Sequence, residues 1–371
     1  MDDPGRKQRD PADHHRRTRA RPAEGGLMLT ELHDELREIA RDLLGRKPPV
    51  TWPALVAAGW TGLEVPADLD GAGATFAETA VVLTELGRAA AGTPCLGTVL
   101  ATGLLSLLEP GEERDRLLAA TASGALRPAV ALPGDAASAA PPFAVAAGQV
   151  IGRAEFVFDA VEADRLLVPA LDADGVPVVV VLGGAAAGLE ITGQPVLDET
   201  RSLAVVTAEG AEGRVLRFAG DPLDGLRRLS DRAAAALACD ALGLSEAMLE
   251  ATVAYVGTRE QFGRPVGSFQ AVKHACADML VRVSVTRRLV GAAVTAIAED
   301  DPGAPVAVAM AKAHACEGAV EVAGTAMQLH GGMGYTWESG VHVHLKRAML
   351  DRSLFGSPAD HRARLALRYP R

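Results

Sequence analysis

The sequence predicts an α+β fold, mainly helical, with helices at both ends of the chain and a small sheet between them. Three observations carry this. Apolar residues recur at three- and four-residue steps up to about residue 125 and again from residue 221 onward. Between Arg127 and Gly220, short β-rich runs alternate with Gly, Pro and Asp turns. Aromatics make up 4% of a chain that is 49% hydrophobic, so Ala, Leu and Val must fill the interior, which suits close-packed helices. Helices, then strands, then helices again is an α+β order rather than a doubly wound one. A length of 371 residues suggests two or three domains.

Residues 1–27 read as a disordered tail. They hold seven Lys/Arg, five Asp/Glu, two His and almost no large apolar residue. The segment has no apolar h-region and too many acids for a mitochondrial-type presequence. Residues 28–125 form an expected helical domain. In it Leu29, Leu32, Leu36, Ile39 and Leu43 make an amphipathic face, and Gly45 is placed to end the helix. Thr75 and Glu78 have capping-box spacing at the start of a helix carrying Val81, Val82, Leu83 and Leu86, which should close near Gly92. Residues 126–220 form an expected β-domain with strands around 156–158, 166–168, 178–182 and 203–206, and Ala136 to Pro142 reads as a loop. Residues 221–371 form an expected helical bundle, with long Ala-rich helices over 230–256, 272–299 and 305–329. The stretch 89–108 runs 20 residues without a charge, but Pro94 and its Gly, Thr and Ser content fit a buried loop and helix better than a membrane span.

A net charge of −10 argues against nucleic acid and anionic membranes as partners, because phosphates need a surplus of cations. The four cysteines, Cys95, Cys239, Cys276 and Cys316, are scattered without a C-x-x-C pair. No metal site is expected, and a reducing cytoplasm is the default setting.

Two strings near the C-terminus carry chemistry. The first runs Tyr255-Val-Gly-Thr-Arg259-Glu-Gln261-Phe262-Gly263-Arg-Pro265-Val-Gly-Ser-Phe269-Gln270. Glycines frame Arg259, which places it at a helix end, where a guanidinium and unpaired amides can hold a pyrophosphate. A surface arginine pairing with Glu260 would read the same. The second string, Gln328-Leu-His330-Gly331-Gly332, ends a helix on paired glycines. These either cap it or let a ligand approach the backbone closely. His330 reads as a packing residue rather than a base.

These strings, with Gly59-Trp60-Thr-Gly-Leu63 and Glu85-Leu-Gly-Arg88 earlier, closely resemble the acyl-CoA dehydrogenase family from about Met28 to the end. The resemblance implies a helical N-domain, a small central β-barrel and a C-terminal four-helix bundle, with FAD bound between the subunits of a tetramer. It implies α,β-dehydrogenation of an acyl-CoA thioester, with an electron-transfer flavoprotein as acceptor. Residue by residue, it places Arg259, Gln261, Phe262, Phe269 and Gln270 on the FAD of a neighbouring subunit, and Gln328, Gly331 and Gly332 around its adenosine portion. Phe156 is carried over as a residue that stacks near the flavin ring. Asp231, read as following a Ser230 N-cap, is carried over as a substrate contact, although a helix dipole alone would explain an acid there.

The chain departs from the family where the base should be. Gly356 stands at the Glu of the usual loop string, and Ala233 stands at the alternative position on the long helix. Asp240 is the remaining candidate. Seven residues at about 100° each return to within about 20° of the face of Ala233, about 10 Å further along. Its neighbours are apolar, so burial should raise its pKa toward general-base values; the alternative is neutralisation by an arginine from an adjacent helix. The flavin-contacting strings are also reduced, to Leu132-Pro133-Gly134-Asp135 and to Phe156-Val157-Phe158-Asp159, where Phe158 offers no hydroxyl. Two readings follow: a catalytic homotetramer using Asp240, or a base-less, FAD-binding subunit paired with a paralogue. The second is the arrangement of the family's short actinobacterial-type members, which act on bulky acyl-CoA esters. A scaffold that binds no flavin is a third.

Overall fold

The structure is a computed structural model that describes residues 24–45, 50–134, 141–336 and 338–368. Most of the anticipated tail, residues 1–23, lies outside the described residues. Its last four residues belong instead to α1 (Glu24–Leu44). Once nucleated, a helix gains a hydrogen bond for each residue added, so the periodic face beginning at Leu29 extends backward. Gly45 ends it, its amide donating to the Arg41 carbonyl at 2.9 Å.

The remaining N-terminal helices are α2 (Trp52–Ala57), α3 (Phe76–Arg88), α4 (Cys95–Leu105) and α5 (Glu112–Ala122). The capping box forms at α3. Thr75 Oγ1 accepts from the Ala77 amide at 3.1 Å, and Glu78 Oε2 accepts from the Thr75 amide at 2.8 Å. The helix stops at Arg88, before the expected Gly92. The uncharged stretch 89–108 is a loop followed by the buried α4. Among the described residues no helix is long and apolar enough to cross a membrane.

Eight strands follow: β1 (Pro128–Val130), β2 (Phe143–Ala146), β3 (Gln149–Phe158), β4 (Arg165–Leu171), β5 (Pro177–Gly183), β6 (Leu189–Gly193), β7 (Leu203–Glu212) and β8 (Arg214–Leu216). They form one sheet in the order β6-β7-β3-β2-β4-β5-β8, with β1 and β2 both running parallel to β4. The sheet has a core of its own, built on Phe143, Val150, Leu166, Val178 and Val206. The Ala/Pro/Ser loop expected at 136–142 falls largely outside the described residues.

Three long helices dominate the rest: α6 (Pro222–Thr258), α7 (Gln270–Ala298) and α8 (Ala304–His330). Between α6 and α7 lies a two-stranded hairpin of β9 (Glu260–Gln261) and β10 (Arg264–Pro265), and α9 (Val341–Ser353) and α10 (Pro358–Leu367) complete the set. Helix α6 begins eight residues before Ser230. Asp221 is its N-cap, accepting from the Leu223 amide at 3.0 Å, and Pro222 follows at the first helical position. Asp231 is therefore well inside a helix, and the helix dipole does not account for it.

The N-terminal helices dock on the bundle where α3 crosses α6. A Cβ at Gly87 would collide with the Asp240 carbonyl, and one at Gly243 with the Thr84 carbonyl, so two glycines set this close approach. Gly243→Ala should push α3 away from α6 and destabilise the protein by about 1–3 kcal/mol, the usual cost of overfilling a packed contact. A shifted denaturation midpoint is the expected reading.

Candidate functional site

Eight of the nine anticipated cofactor residues lie toward the end of the bundle where α6 and α8 finish and α7 starts; Phe156 does not. Arg259 caps the C-terminus of α6, its amide donating to the Tyr255 carbonyl at 2.9 Å. A helix C-terminus presents carbonyls, so the expectation of unpaired amides beside Arg259 is corrected. The free amides here belong to the first turn of α7, which begins at Gln270. Between them the hairpin projects into solvent. Phe262 is 92% exposed with a φ of 54°, meets Phe269 edge-on at 6.2 Å, and leaves the Arg264 guanidinium over the Phe269 ring at 4.0 Å. Arg259, Gln261 and Gln270 are exposed beside it.

The second string joins this end through Tyr255. Its ring stacks on His330 at 4.4 Å and its hydroxyl donates to the His330 carbonyl at 3.4 Å. Gln328 lies at a groove of about 520 Å³ between α7 and α8, lined also by Asp278, Arg282, Glu321 and Thr325. Gly331 has a φ of 57°, and neither it nor Gly332 has a heavy atom within 4 Å of where a Cβ would stand. Seven of these eight residues are exposed and Phe269 is half-buried.

Asp231 sits elsewhere, in a cleft of about 280 Å³ where the starts of α6 and α8 meet α10 and the loop at Leu132 and Pro133. One of its oxygens accepts from Arg364 at 2.9 Å; burial raises its pKa, and that arginine only partly offsets the effect. The same cleft is lined by Phe355, Gly356 and His361. Phe156 stands close by, half-buried with a φ of 54°. Its amide donates to Gln194 Oε1 at 2.8 Å, and its carbonyl would lie 2.8 Å from a Cβ on Gly134. Gly134 in turn accepts from the Phe355 amide at 2.6 Å. Phe158 is buried and stacks on Phe355, with centroids 5.5 Å apart. Along α6, Asp231 and Arg259 are 28 residues, or about 40 Å, apart.

Asp240 belongs to neither place. It is 2% exposed and held by two arginines. Arg347 on α9 makes a fork, Nε to Oδ2 at 2.8 Å and Nη2 to Oδ1 at 2.6 Å, and Arg201 approaches Oδ1 at 3.1 Å. Arg347 also donates to the Ala91 carbonyl and to Thr200 Oγ1. Burial alone would raise the Asp240 pKa, but the two guanidinium charges overcome it and hold the carboxyl well below its ordinary range. The expected elevated pKa is therefore reversed, and the geometry is that of an ion-paired carboxylate rather than an available base. Its neighbour Asp351 moves the other way: burial and the Asp240 charge push its pKa far up. The alternative reading, neutralisation of Asp240 by an arginine from an adjacent helix, is the one observed, although the sequence did not identify Arg347 or Arg201 as the partners. Lys312, His361 and Arg364 carry no local signal and were not singled out.

Replacing Asp240 by Asn would leave Arg347 and Arg201 facing a neutral amide in the interior. Removing one partner of a buried pair costs about 3–5 kcal/mol, so Asp240→Asn should lose global stability of that order in denaturant titrations. His361 supplies a pH signature. Burial lowers its pKa from 6.5 to about 4, so between those values the unfolded chain binds the extra proton. Its stabilisation is complete above pH 6.5 and fades as pH falls toward 4, by roughly 3 kcal/mol in all. The stability difference between wild type and His361→Gln should shrink across that window, and taking the difference cancels the opposing effect of Asp159 and Asp351, whose pKa values burial raises.

Two family models match the chain: the acyl-CoA dehydrogenase N-terminal domain over residues 27–125 and the acyl-CoA dehydrogenase C-terminal domain over residues 227–369. The acyl-CoA dehydrogenase IpdE2 of Mycobacterium tuberculosis is 32% identical over 309 residues, covering 83% of this chain and 82% of its own. The Tcur3481-Tcur3483 steroid ACAD G363A variant superposes with a TM-score of 0.80 at 28% identity, over 92% of this chain and 97% of that one. The ChsE4-ChsE5 complex of Mycobacterium tuberculosis gives 0.79 at 26%, with the same coverages. By sequence along both flanks and by fold throughout, the chain belongs to the acyl-CoA dehydrogenase family.

Proposed function

We propose that this chain works in FAD-dependent α,β-dehydrogenation of acyl-CoA thioesters as the base-less subunit of a mixed tetramer. The observation that carries this reading is Gly356. It lines the cleft at the place where the family's loop carries its Glu, Ala233 on α6 is buried and inert, and Asp240 is consumed by Arg347 and Arg201. No carboxylate stands ready at any of the three positions.

The residues present fit the dinucleotide portion of FAD better than its ring. Arg259, Gln261, Phe262, Phe269, Gln270, Gln328, Gly331 and Gly332 form an exposed surface with room at both glycines, and they would hold the pyrophosphate and adenosine. Near Phe156 the position of the family's hydroxyl is taken by Phe158, which is buried against Phe355. The separation of about 40 Å along α6 supports a site shared between chains, because one dinucleotide cannot lie against both ends of that helix. When bound, FAD supplies the acceptor for the hydride leaving Cβ. This chain's own part is to grip a partner's cofactor through a guanidinium fork and helix-start amides, both suited to phosphate. Asp231 and the cleft beside it would contact acyl-CoA. The acceptor in this reading is an electron-transfer flavoprotein and the setting is the cytoplasm. The ChsE4-ChsE5 likeness supports two unlike chains in one assembly, and the steroid ACAD likeness makes bulky acyl-CoA esters the first substrates to test.

Co-expression with a family paralogue that retains the loop Glu tests this. The mixed tetramer should carry flavin, with absorbance near 450 nm, and bleach it on adding acyl-CoA, whereas this chain alone should not. Arg259→Ala in this chain should strip flavin from the complex, weakening binding about 10- to 100-fold for a lost charged hydrogen bond to phosphate. A homotetramer of this chain that dehydrogenates unaided would overturn the proposal.

A further inference from the structure

The segment Leu354–Ser357 is fixed to three separate elements. The Phe355 amide donates to the Gly134 carbonyl at 2.6 Å, which ties it to the sheet domain's loop. The Phe355 carbonyl accepts from His361 Nε2 on α10 at 3.0 Å. The Gly356 carbonyl accepts from Lys312 Nζ on α8 at 3.2 Å, and the same ammonium donates to the Asp351 carbonyl at 2.7 Å. Lys312 is fully buried and His361 is 3% exposed, so neither has freedom to swing away. Under these ties Phe355 and Gly356 take consecutive left-handed conformations, with φ of 52° and 88°. A side chain at 356 would be strained by that φ and would also find its Cβ 2.8 Å from His361 Nε2 and 3.2 Å from Cδ2. The imidazole cannot recede, because its Nε2–H is the donor that holds the Phe355 carbonyl.

We infer that His361 is the residue that closes this chain's cleft to a base: its ring stands where a side chain at position 356 would begin, so the cleft is locked and not merely short of a carboxylate. This rests on the reading of Gly356 as the vacated base position. Restoring the glutamate alone should then fail, and the acidic function should return only when the ring is removed with it.

A double-mutant cycle on the full chain, in its mixed complex where it requires one, tests the lock. Gly356→Ala introduces only the offending Cβ and should lower the thermal midpoint by several degrees. His361→Ala should lower it through a lost hydrogen bond. The double variant should be more stable than the sum of the two losses, because the ring and the Cβ compete for one volume. Simple additivity would overturn the inference.

The chemical arm uses Gly356→Glu with and without His361→Ala, and follows deuterium entering octanoyl-CoA at Cα from D2O by mass spectrometry. A carboxylate takes the α-proton to leave the enolate and returns a deuteron to the same carbon, so nothing is oxidised or reduced. Exchange at least tenfold faster in the double variant than in Gly356→Glu is the expected result. Equal exchange in the two, or none in the double with octanoyl-CoA bound, would show that the lock is not what withholds the base. Calorimetry of octanoyl-CoA with the wild-type chain separates the two claims. Absence of binding would remove the acyl-CoA reading of the cleft, while the stability cycle would still judge the lock.

Discussion

The fold is organised around one buried charge, the carboxylate of Asp240 at the middle of α6. A lone carboxylate there would be expensive. Two arginines answer it, and each arrives from a different part of the chain. Arg347 comes from α9 and also grips the Ala91 carbonyl after α3. Arg201 comes from the segment leading into β7, and its guanidinium lies over the Phe158 ring at 5.7 Å. The pairing thus fastens the N-terminal helices, the sheet domain and the bundle to one point. Asp351 beside it shares Arg201, and the Asp351 carbonyl accepts from Lys312, which also holds Gly356. The position of the cleft's loop is set by the charge hub two turns along α6 from Ala233.

That dependence explains how a carboxylate at an attractive sequence position is held as a buried ion pair rather than left available as a base. Burial and pairing act in opposite directions on its proton affinity, and geometry decides which wins. Asp231 is buried too, but its partner Arg364 is half-exposed and screened, so burial prevails and the pKa rises. At Asp240 both arginines are buried with it and pairing prevails. The two acids lie nine residues apart on the same helix and differ only in what reaches them.

Much of the fold was legible in the sequence because it rests on local patterns. The Thr75 and Glu78 spacing, the β-branched run at 178–181 and the glycine at 331 each dictate backbone geometry from a few adjacent residues. The start of α6 lies eight residues before the Ser230 expected to cap it, at Asp221 followed by Pro222. The residues of the proposed cofactor surface stand out in the sequence because they cluster in two strings, and most of them are exposed. For Asp240 the sequence left two readings open, a base or a carboxylate neutralised by an arginine from an adjacent helix, and only the fold decides for the second. The contacts around Gly356 were not readable. Asp240 depends on residues 39 positions before it and 107 after it, and Gly356 on a ring one helical turn into α10. Apolar neighbours along a helix describe one strip of its surroundings and say nothing about what other elements press against it.

The division of α6 follows from the same geometry. Its first turns face the cleft, its middle holds the charge hub, and its C-cap, Arg259, carries the guanidinium at the far end. A helix of 37 residues is about 55 Å long, so its two working ends cannot serve one ligand within a single chain. In the proposed reading each end is half of a shared site, and the half at Arg259 is the more complete. Its arginine, hairpin aromatics and open glycines need only a partner's contribution, whereas the half at Gly356 has filled its reactive position with its own imidazole. On that proposal, the chain contributes its Arg259 end to a subunit whose other end still carries a base.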